Sequence, residues 1–259
     1  MTELVLSEVR PPAVVLTMNR PEKQNALSRE LFEALDAGLD AAEADDAVRG
    51  VVLTGNDKVF STGGDLKQAL EVTSILETKV WLDRFLATND RLENLTKPVI
   101  AAIGGFCLTG GLELALCCDI RIAATTAKFG ITSSRIGSVA GAGATQRLAR
   151  LVGPEWTKRM LFGAEFIDAE TALRIGLVSE VVEPAEVVPA ALRLIDVYAE
   201  RAPLSLWYAK LAVNNGLQMD LKSALAYERQ LTTGLFATDD RREGMAAFLE
   251  KRPARFTGR

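Results

Sequence analysis

The sequence predicts an α/β fold that closes in a helical C-terminal region. Two observations carry that reading: short β-rich runs alternate with helical stretches through the first half, and after about Pro184 only amphipathic helix follows. A third sets the scale, because 259 residues suffice for one large domain, or a main domain with a smaller helical appendage, around a substantial core.

Taken in order, AVVLTMNRP from Ala13 and RGVVLTGND from Arg49 are β-rich runs that end in Asn, Gly or Pro, as strands entering turns do. KPVIAAIGG from Lys97 and DIRIAA from Asp119 repeat the pattern. Between them, Ser28 is placed to cap a helix over SRELFEALDAGLDAAEAD, and a second helical stretch runs roughly from Leu66 to Leu95. The tail reads as helices over AEVVPAALRLIDVYAERA, PLSLWYAKLAVNNG, LKSALAYERQLTTGLFA and DDRREGMAAFLEKR. Its Trp207, Tyr208, Met245 and Phe248 read first as packing residues. No repeat of fixed period and no low-complexity segment interrupts the chain.

Composition excludes several function classes. A formal net charge of -4 with no basic stripe argues against a nucleic-acid partner. No Arg/Lys-headed apolar leader and no apolar run of about 18 residues is visible, so no signal peptide or membrane span is expected, and the expected location is cytoplasmic. Cys107, Cys117 and Cys118, an odd number in one apolar region, read as reduced buried thiols. With no histidine at all, Ser-His-Asp and Cys-His catalysis and imidazole zinc sites are removed together. Neither a metal nor a redox cofactor is expected.

Two glycine-containing loops follow predicted strands: VFSTGGDLKQ with Gly63 and Gly64, and GGFCLTGGLEL with Gly104, Gly105, Gly110 and Gly111. They fail the P-loop test, since no Lys-Ser or Lys-Thr follows the last glycine, and GAGATQ from Gly141 lacks the third glycine of a dinucleotide fingerprint. Glycine at a strand-to-helix turn permits tight turning, and it also lets a backbone N–H approach a ligand closely. Two such groups from separate loops can share one oxygen, the design of an oxyanion hole. Glu113 lies in the apolar run TGGLELALCCD three residues after Gly110, one helical turn on. A carboxylate there is costly to bury unless it is used or paired. It reads either as a base beside a polarised carbonyl or as the ion-pair partner of Arg121 or Arg135.

These residues resemble the crotonase superfamily, the enoyl-CoA hydratases and isomerases. The matching stretches are RPEKQNALS (Arg20 to Ser28), VFSTGGDLK, KPVIAAIGGFCLTGGLELALCCDIRIA (Lys97 to Ala123), KFG (Lys128 to Gly130), GAGATQRLARLVG, IDAETALRIGLVSEVV (Ile167 to Val182) and FLEKRPARF (Phe248 to Phe256). They follow in order along essentially the whole chain. The resemblance implies a spiral of repeated ββα units over residues 1–195 carrying an acyl-CoA site. Residues 196–259 would then form a helical region for trimerisation and for closure over CoA, in a homotrimer or a hexamer built as a dimer of trimers.

By motif match the resemblance implies an acyl-CoA thioester substrate whose enolate is stabilised by the N–H groups of Gly64 and Gly110, with Glu113 catalytic. Gln24, Ala26 and Leu27 resemble the part of the family that lines the CoA pocket. Ser61, Gly63, Asp65, Leu66, Phe106, Leu108, Gly111 and Gly137 fall in or beside the matched site stretches and are assigned to substrate or CoA binding with them. Asp65 is also placed to cap the following helix. Phe248 and Lys251 look like tail residues that approach the nucleotide end of a neighbouring subunit's CoA, and Lys251 reads equally as a solvated charge.

One departure matters. Hydratases of the family use two glutamates, and the second follows an FG pair by three positions; here FGITSSRIG places Ser133 there and Thr132 where proline is usual. The later SVAGAG has Ala140 where many relatives have proline. A serine hydroxyl donates protons poorly, although it can orient a water. Hydration by Glu113 alone, double-bond isomerisation, thioester or C–C hydrolysis, decarboxylation and non-catalytic acyl-CoA binding therefore stay open at this point. So does recruitment of another acid, Asp65 or Glu71.

Overall fold

The computed structural model describes residues 3–259. Strands β1 (Val5–Arg10) and β2 (Ala13–Met18) form an antiparallel hairpin. Helix α1 (Arg29–Ala44) follows, capped as the sequence predicts: the Ser28 hydroxyl accepts the Leu31 N–H at 3.3 Å. Its Leu31, Phe32, Leu35 and Leu39 form the buried face.

A unit of strand, strand and helix then recurs. Strand β3 (Gly50–Thr54) leads to β4 (Val59–Ser61), then to α2 (Leu66–Glu71) and α3 (Ile75–Asn94). Strand β5 (Val99–Ile103) leads to β6 (Phe106–Leu108) and α4 (Gly110–Ala115), and β7 (Ile120–Ala124) to β8 (Lys128–Gly130) and α5 (Ala144–Gly163). The chain continues through β9 (Ile167–Asp168), α6 (Ala169–Arg174), β10 (Glu180–Val182), α7 (Val187–Ala199), α8 (Pro203–Gly216), α9 (Leu221–Leu235) and α10 (Asp239–Glu250). The first strand of each unit enters a six-stranded sheet ordered β1-β2-β3-β5-β7-β10, and the second enters a four-stranded sheet ordered β4-β6-β8-β9. Neighbours pair in parallel except β1 with β2 and β8 with β9. This is the expected ββα spiral.

The central strands β2, β3 and β5 of the larger sheet are buried on both faces, which is why they read as continuous apolar runs rather than alternating ones. Leu53, Ala101 and Ile103 face the main core with Phe60, Leu112 and Phe129. Val52, Ile100 and Ile122 face the opposite way, onto Val187, Ala191 and Ile195 of α7. At the spiral's corners successive coils stack backbone on backbone. A Cβ at Gly105 would stand 2.0 Å from the Lys58 carbonyl oxygen, whose carbonyl accepts the Phe106 N–H at 2.9 Å. Gly104 and Gly105 therefore serve this corner, whereas the sequence grouped them with the site glycines.

The helical stretch expected from Leu66 to Leu95 is two helices. Ser74 and Glu77 form a capping box that starts α3 afresh: Ser74 Oγ accepts the Glu77 N–H, and the Glu77 carboxylate accepts the Ser74 N–H. In the tail, α8 and α9 pack on each other without burying a residue fully. Trp207 and Tyr208 do pack, edge to face at 5.4 Å between ring centroids. Met245 and Phe248 do not, for Phe248 is 84% exposed and Met245 51%. Helical periodicity marks an apolar face without saying what covers it. No helix among the described residues is long and apolar enough to cross a membrane.

Gly105→Ala is expected to lower stability by on the order of 2–3 kcal/mol, read as a fall in Tm, because the clashing atom is backbone and cannot rotate away. Gly216→Ala, whose Cβ would meet only Ala224 Cβ at 3.7 Å, is the control expected to leave Tm unlowered.

Candidate active site

The site is built where two strand-to-helix turns touch. Strand β4 ends at Ser61 and β6 at Leu108, so the turns Thr62–Asp65 and Thr109–Gly111 leave neighbouring parallel strands side by side. A Cβ at Gly63 would lie 3.1 Å from Gly110 N, and one at Gly110 would lie 3.3 Å from Gly64 N. At Gly111 a Cβ would fall 2.4 Å from the Ser61 carbonyl oxygen. Only glycine allows this approach, and Gly63 also holds φ +105. Among the described residues neither the Gly64 nor the Gly110 N–H finds a protein acceptor. Two adjacent free donors, one of them at the N-terminus of α4, suit an oxygen that gains negative charge.

Phe85 of α3 roofs both donors: its ring would meet a Cβ at Gly64 at 3.1 Å and one at Gly110 at 3.2 Å. It stacks edge-on with Trp81 at 4.8 Å and with Phe32 at 4.7 Å. These rings, with Leu27, Val72, Leu76 and Val80, border a groove of about 950 Å³ among α1, α2 and α3. The sequence reading left the acyl side to the Leu66 to Leu95 helix without naming Trp81 or Phe85. Their only signal was aromatic residues at helical spacing, which ordinary packing also produces.

The loop carrying Gln24, Ala26 and Leu27 is pinned onto the first turn. The Leu27 N–H donates to the Gly63 carbonyl at 2.8 Å, and the Asp65 N–H to the Leu27 carbonyl at 3.0 Å. Asn25, absent from the sequence reading, is the anchor. It is fully buried at φ 50, and its amide donates to the Val59 and Phe60 carbonyls at 3.2 and 3.0 Å. An Asn between two loop residues hints at a left-handed position. Ser61 is buried too, its hydroxyl donating to the Asn25 carbonyl at 2.8 Å and accepting the Gly63 N–H at 3.2 Å. Asp65 caps α2 and pairs with Arg20 at 2.7 Å. Ser61 and Asp65 thus hold the turn's shape.

Glu113 sits on α4, 3% exposed. Its Oε1 accepts the Ala142 N–H at 2.8 Å and the Ala144 N–H at 3.0 Å, the second from the first residue of α5. Gly143 between them takes φ +122, which turns both N–H groups to one oxygen. Asn89 steadies the loop by donating to the Ala142 carbonyl at 2.9 Å. Burial pushes the Glu113 carboxyl above the usual carboxylate range, against the opposing pull of the two N–H groups and of Arg147. Oε2 has no protein donor among the described residues and is not sealed from solvent. The ion-pair alternative fails: Arg121 donates to the Leu177 and Cys118 carbonyls, and Arg135 donates to the Ala164 carbonyl and lies over the Phe166 ring.

A family model described as Enoyl-CoA hydratase/isomerase matches residues 11–259. The chain belongs to the enoyl-CoA hydratase/isomerase family. A short-chain-enoyl-CoA hydratase of Clostridium acetobutylicum is 41% identical over 96% of this chain and 95% of its own. A 2,3-dehydroadipyl-CoA hydratase of Escherichia coli is 39% identical over 100% of each. The crystal structure of an enoyl-CoA hydratase from Bacillus anthracis superposes with a TM-score of 0.93 at 36% identity, covering 99% of this chain and 100% of that one.

Against that family background, the remaining residues separate. Ser133 is buried at the start of a short helical turn, Ser133–Ile136, and its hydroxyl bonds no protein group among the described residues. It follows Thr132, which is hydrogen-bonded to Thr109 beside Gly110. Leu66 is exposed on the first turn of α2, and Gly137 holds φ 71 in open space. Leu108 is buried at the end of β6, while Phe106 at the strand's far end packs against Phe166, 5.8 Å between centroids. Phe248 and Lys251 stand exposed on α10 and at its C-terminal cap, so a part in binding would fall to an assembly rather than to one chain. Of the two acids considered as substitutes, Asp65 is committed to Arg20 and to its cap, and Glu71 is exposed beside the groove.

All three cysteines are free and buried, and burial pushes the Cys118 thiol up to about 12. Cys117 and Cys118 border a second cavity of about 470 Å³ under α8, beside the Lys210–Asp119 ion pair; neither free donor lines this cavity or the groove among α1, α2 and α3. Among the described residues no three His, Cys, Asp or Glu side chains cluster as metal ligands do.

A carboxyl whose folded pKa is raised stabilises the fold fully below its unfolded pKa and loses that contribution as pH rises through the folded value. Glu113→Gln keeps an acceptor for Ala142 and Ala144 and removes the charge. It is expected to melt above wild type at pH 7, with the gap closing below about pH 4, near the unfolded carboxylate pKa. Melting curves across pH read this directly.

Proposed function

We propose that the protein hydrates trans-2-enoyl-CoA thioesters to 3-hydroxyacyl-CoA thioesters, with Glu113 as its single general base. The observation that carries the reading is the Glu113 carboxylate itself, fixed through Oε1 by two N–H groups with Oε2 left free, one turn along α4 from the Gly110 donor. Glu113 Oε2 takes a proton from water as the oxygen adds to Cβ. The double-bond electrons pass through Cα to the thioester oxygen, where the Gly64 and Gly110 N–H groups hold the enolate. The enolate collapses as Cα recovers the proton from Glu113, leaving the carboxylate ready for another turn. Ser133, next in sequence to Thr132, is read as orienting that water.

Several features support the wider reading. The relatives above carry hydratase names, including one for 2,3-dehydroadipyl-CoA. Gln24, Ala26, Leu27, Gly63, Leu66 and Gly111 lie on or against the donor turns, and they, with Gly137, are read as contacts for the thioester and its CoA. Exposed apolar residues on the tail, among them Val213, Leu217, Leu225, Phe236 and Leu249, suit burial in a homotrimer, in which Phe248 and Lys251 would meet a neighbour's CoA. No cofactor enters this chemistry, since the base, the electron sink and water are sufficient.

Ser133 in place of a second carboxylate favours one further reading. Moving a proton between Cα and Cγ needs only one base, so isomerisation of β,γ-unsaturated thioesters fits the same site.

Loss of absorbance of crotonyl-CoA and longer trans-2-enoyl-CoA substrates reports hydration. Glu113→Gln is expected to lower kcat by about 10³-fold, the scale of a lost general base. For wild type, kcat/KM is expected to rise with pH through a pKa above the ordinary carboxylate range, because the base must be ionised and burial raises it. Ser133→Glu is expected to speed hydration by supplying the second acid. A wild type inert toward enoyl thioesters, yet generating conjugated absorbance from β,γ-unsaturated ones, replaces hydration with isomerisation. Release of free thiol assigns hydrolysis, and tight binding with no turnover of any of these assigns a binding protein.

A further inference from the structure

Thr109 carries the most unusual backbone at the site. Its φ of 48 and ψ of -115 lie in a region that non-glycine residues rarely occupy. The peptide unit that Thr109 shares with Gly110 carries the Gly110 N–H, so the ψ of Thr109 decides where that donor points. In an ordinary strand or helix conformation the same N–H would turn aside.

What holds Thr109 there is the next coil of the spiral. Its backbone N–H donates to the Gly130 carbonyl at 2.8 Å. Its hydroxyl accepts the Thr132 N–H at 3.0 Å and lies 2.9 Å from the Thr132 hydroxyl in a second hydrogen bond. Thr132 therefore grips one side chain twice, through its backbone N–H and its hydroxyl.

We propose that Thr132 is a positioning residue: through its paired bonds to the Thr109 hydroxyl it holds Thr109 in its strained conformation and so aims the Gly110 N–H at the thioester oxygen. The inference rests on the reading that Gly64 and Gly110 bind that oxygen. It also gives position 132 a meaning in this chain. The residue before Ser133 tunes the electron sink.

The test uses the full-length protein and two measurements. The first is the absorbance of a bound aryl-enoyl-CoA, whose conjugated carbonyl shifts to longer wavelength when backbone donors polarise it. The second is steady-state kinetics with crotonyl-CoA. Thr132→Val keeps the shape and the backbone N–H but loses the hydroxyl; Thr109→Val loses both bonds; Thr132→Ser keeps both. Thr132→Val is expected to shrink the spectral shift and lower kcat about tenfold with KM little changed, the size of one hydrogen bond lost from the transition state. Thr109→Val is expected to do more, and Thr132→Ser to retain wild-type behaviour even if the valine variants fold poorly.

A full spectral shift in folded Thr132→Val, or a Thr132→Ser variant that folds and loses the shift, overturns the proposal. A shift in wild type that Thr132→Val loses supports it whether or not crotonyl-CoA is turned over, and absence of turnover then counts against hydration alone. No shift in wild type overturns both this proposal and the oxyanion reading beneath it.

Discussion

The contact between two glycine turns is the constraint on which the rest of the site depends. A Cβ at Gly111 would fall 2.4 Å from the Ser61 carbonyl oxygen, and one at Gly63 would lie 3.1 Å from Gly110 N, so the two turns pack backbone to backbone. That closeness places two N–H groups from separate coils side by side. The surrounding polar residues serve the contact. Asn25 and Ser61 tie the first turn to the loop before α1, Arg20 and Asp65 fix where α2 begins, and Thr132 grips the second turn. The β4–β6–β8 sheet sets the spacing, since parallel strands end side by side and deliver their turns to one place.

Glu113 joins that arrangement through a different economy. A buried carboxylate needs partners, and a guanidinium would supply them while holding the group ionised and occupied. Two backbone N–H groups on one oxygen satisfy half of the carboxylate and leave the other half free to exchange a proton. Burial then raises the proton affinity of the free half toward the range in which a base can both take and return a proton. The one-base shuttle proposed above draws on both features, the free oxygen and the raised proton affinity. On the proposed reading, Ser133 orients the water and Glu113 alone carries the proton.

The spiral also accounts for a sequence that shows no repeat while its structure repeats. Each coil must supply a strand to the doubly buried sheet, a corner that stacks on its neighbour and a short strand of the second sheet. Those demands concern burial and backbone shape, and many residues meet them. At the corners, where backbones touch, glycine stands at Gly55, Gly104 and Gly105.

Much of this was legible in the sequence, and the boundary has a physical cause. Alternating β-rich runs and helices, the Ser28 cap, the buried thiols and the match of Gly64, Gly110 and Glu113 to the crotonase pattern all follow from local chemistry or from ordered motifs. Sequence alone therefore determined the fold family and which carboxylate to suspect. It could not divide the four glycines of the second loop into two at a corner and two at the site, because both uses need the same residue. Nor could it find Asn25, Asn89, Phe85 or the Thr109–Thr132 pair, whose partners lie on other coils. Whether Glu113 faced an arginine or two amides was equally beyond it. Those choices were left to tertiary structure, since hydrogen bonds and strained backbone depend on what another segment brings within about 3 Å, and spacing along one segment does not encode that distance.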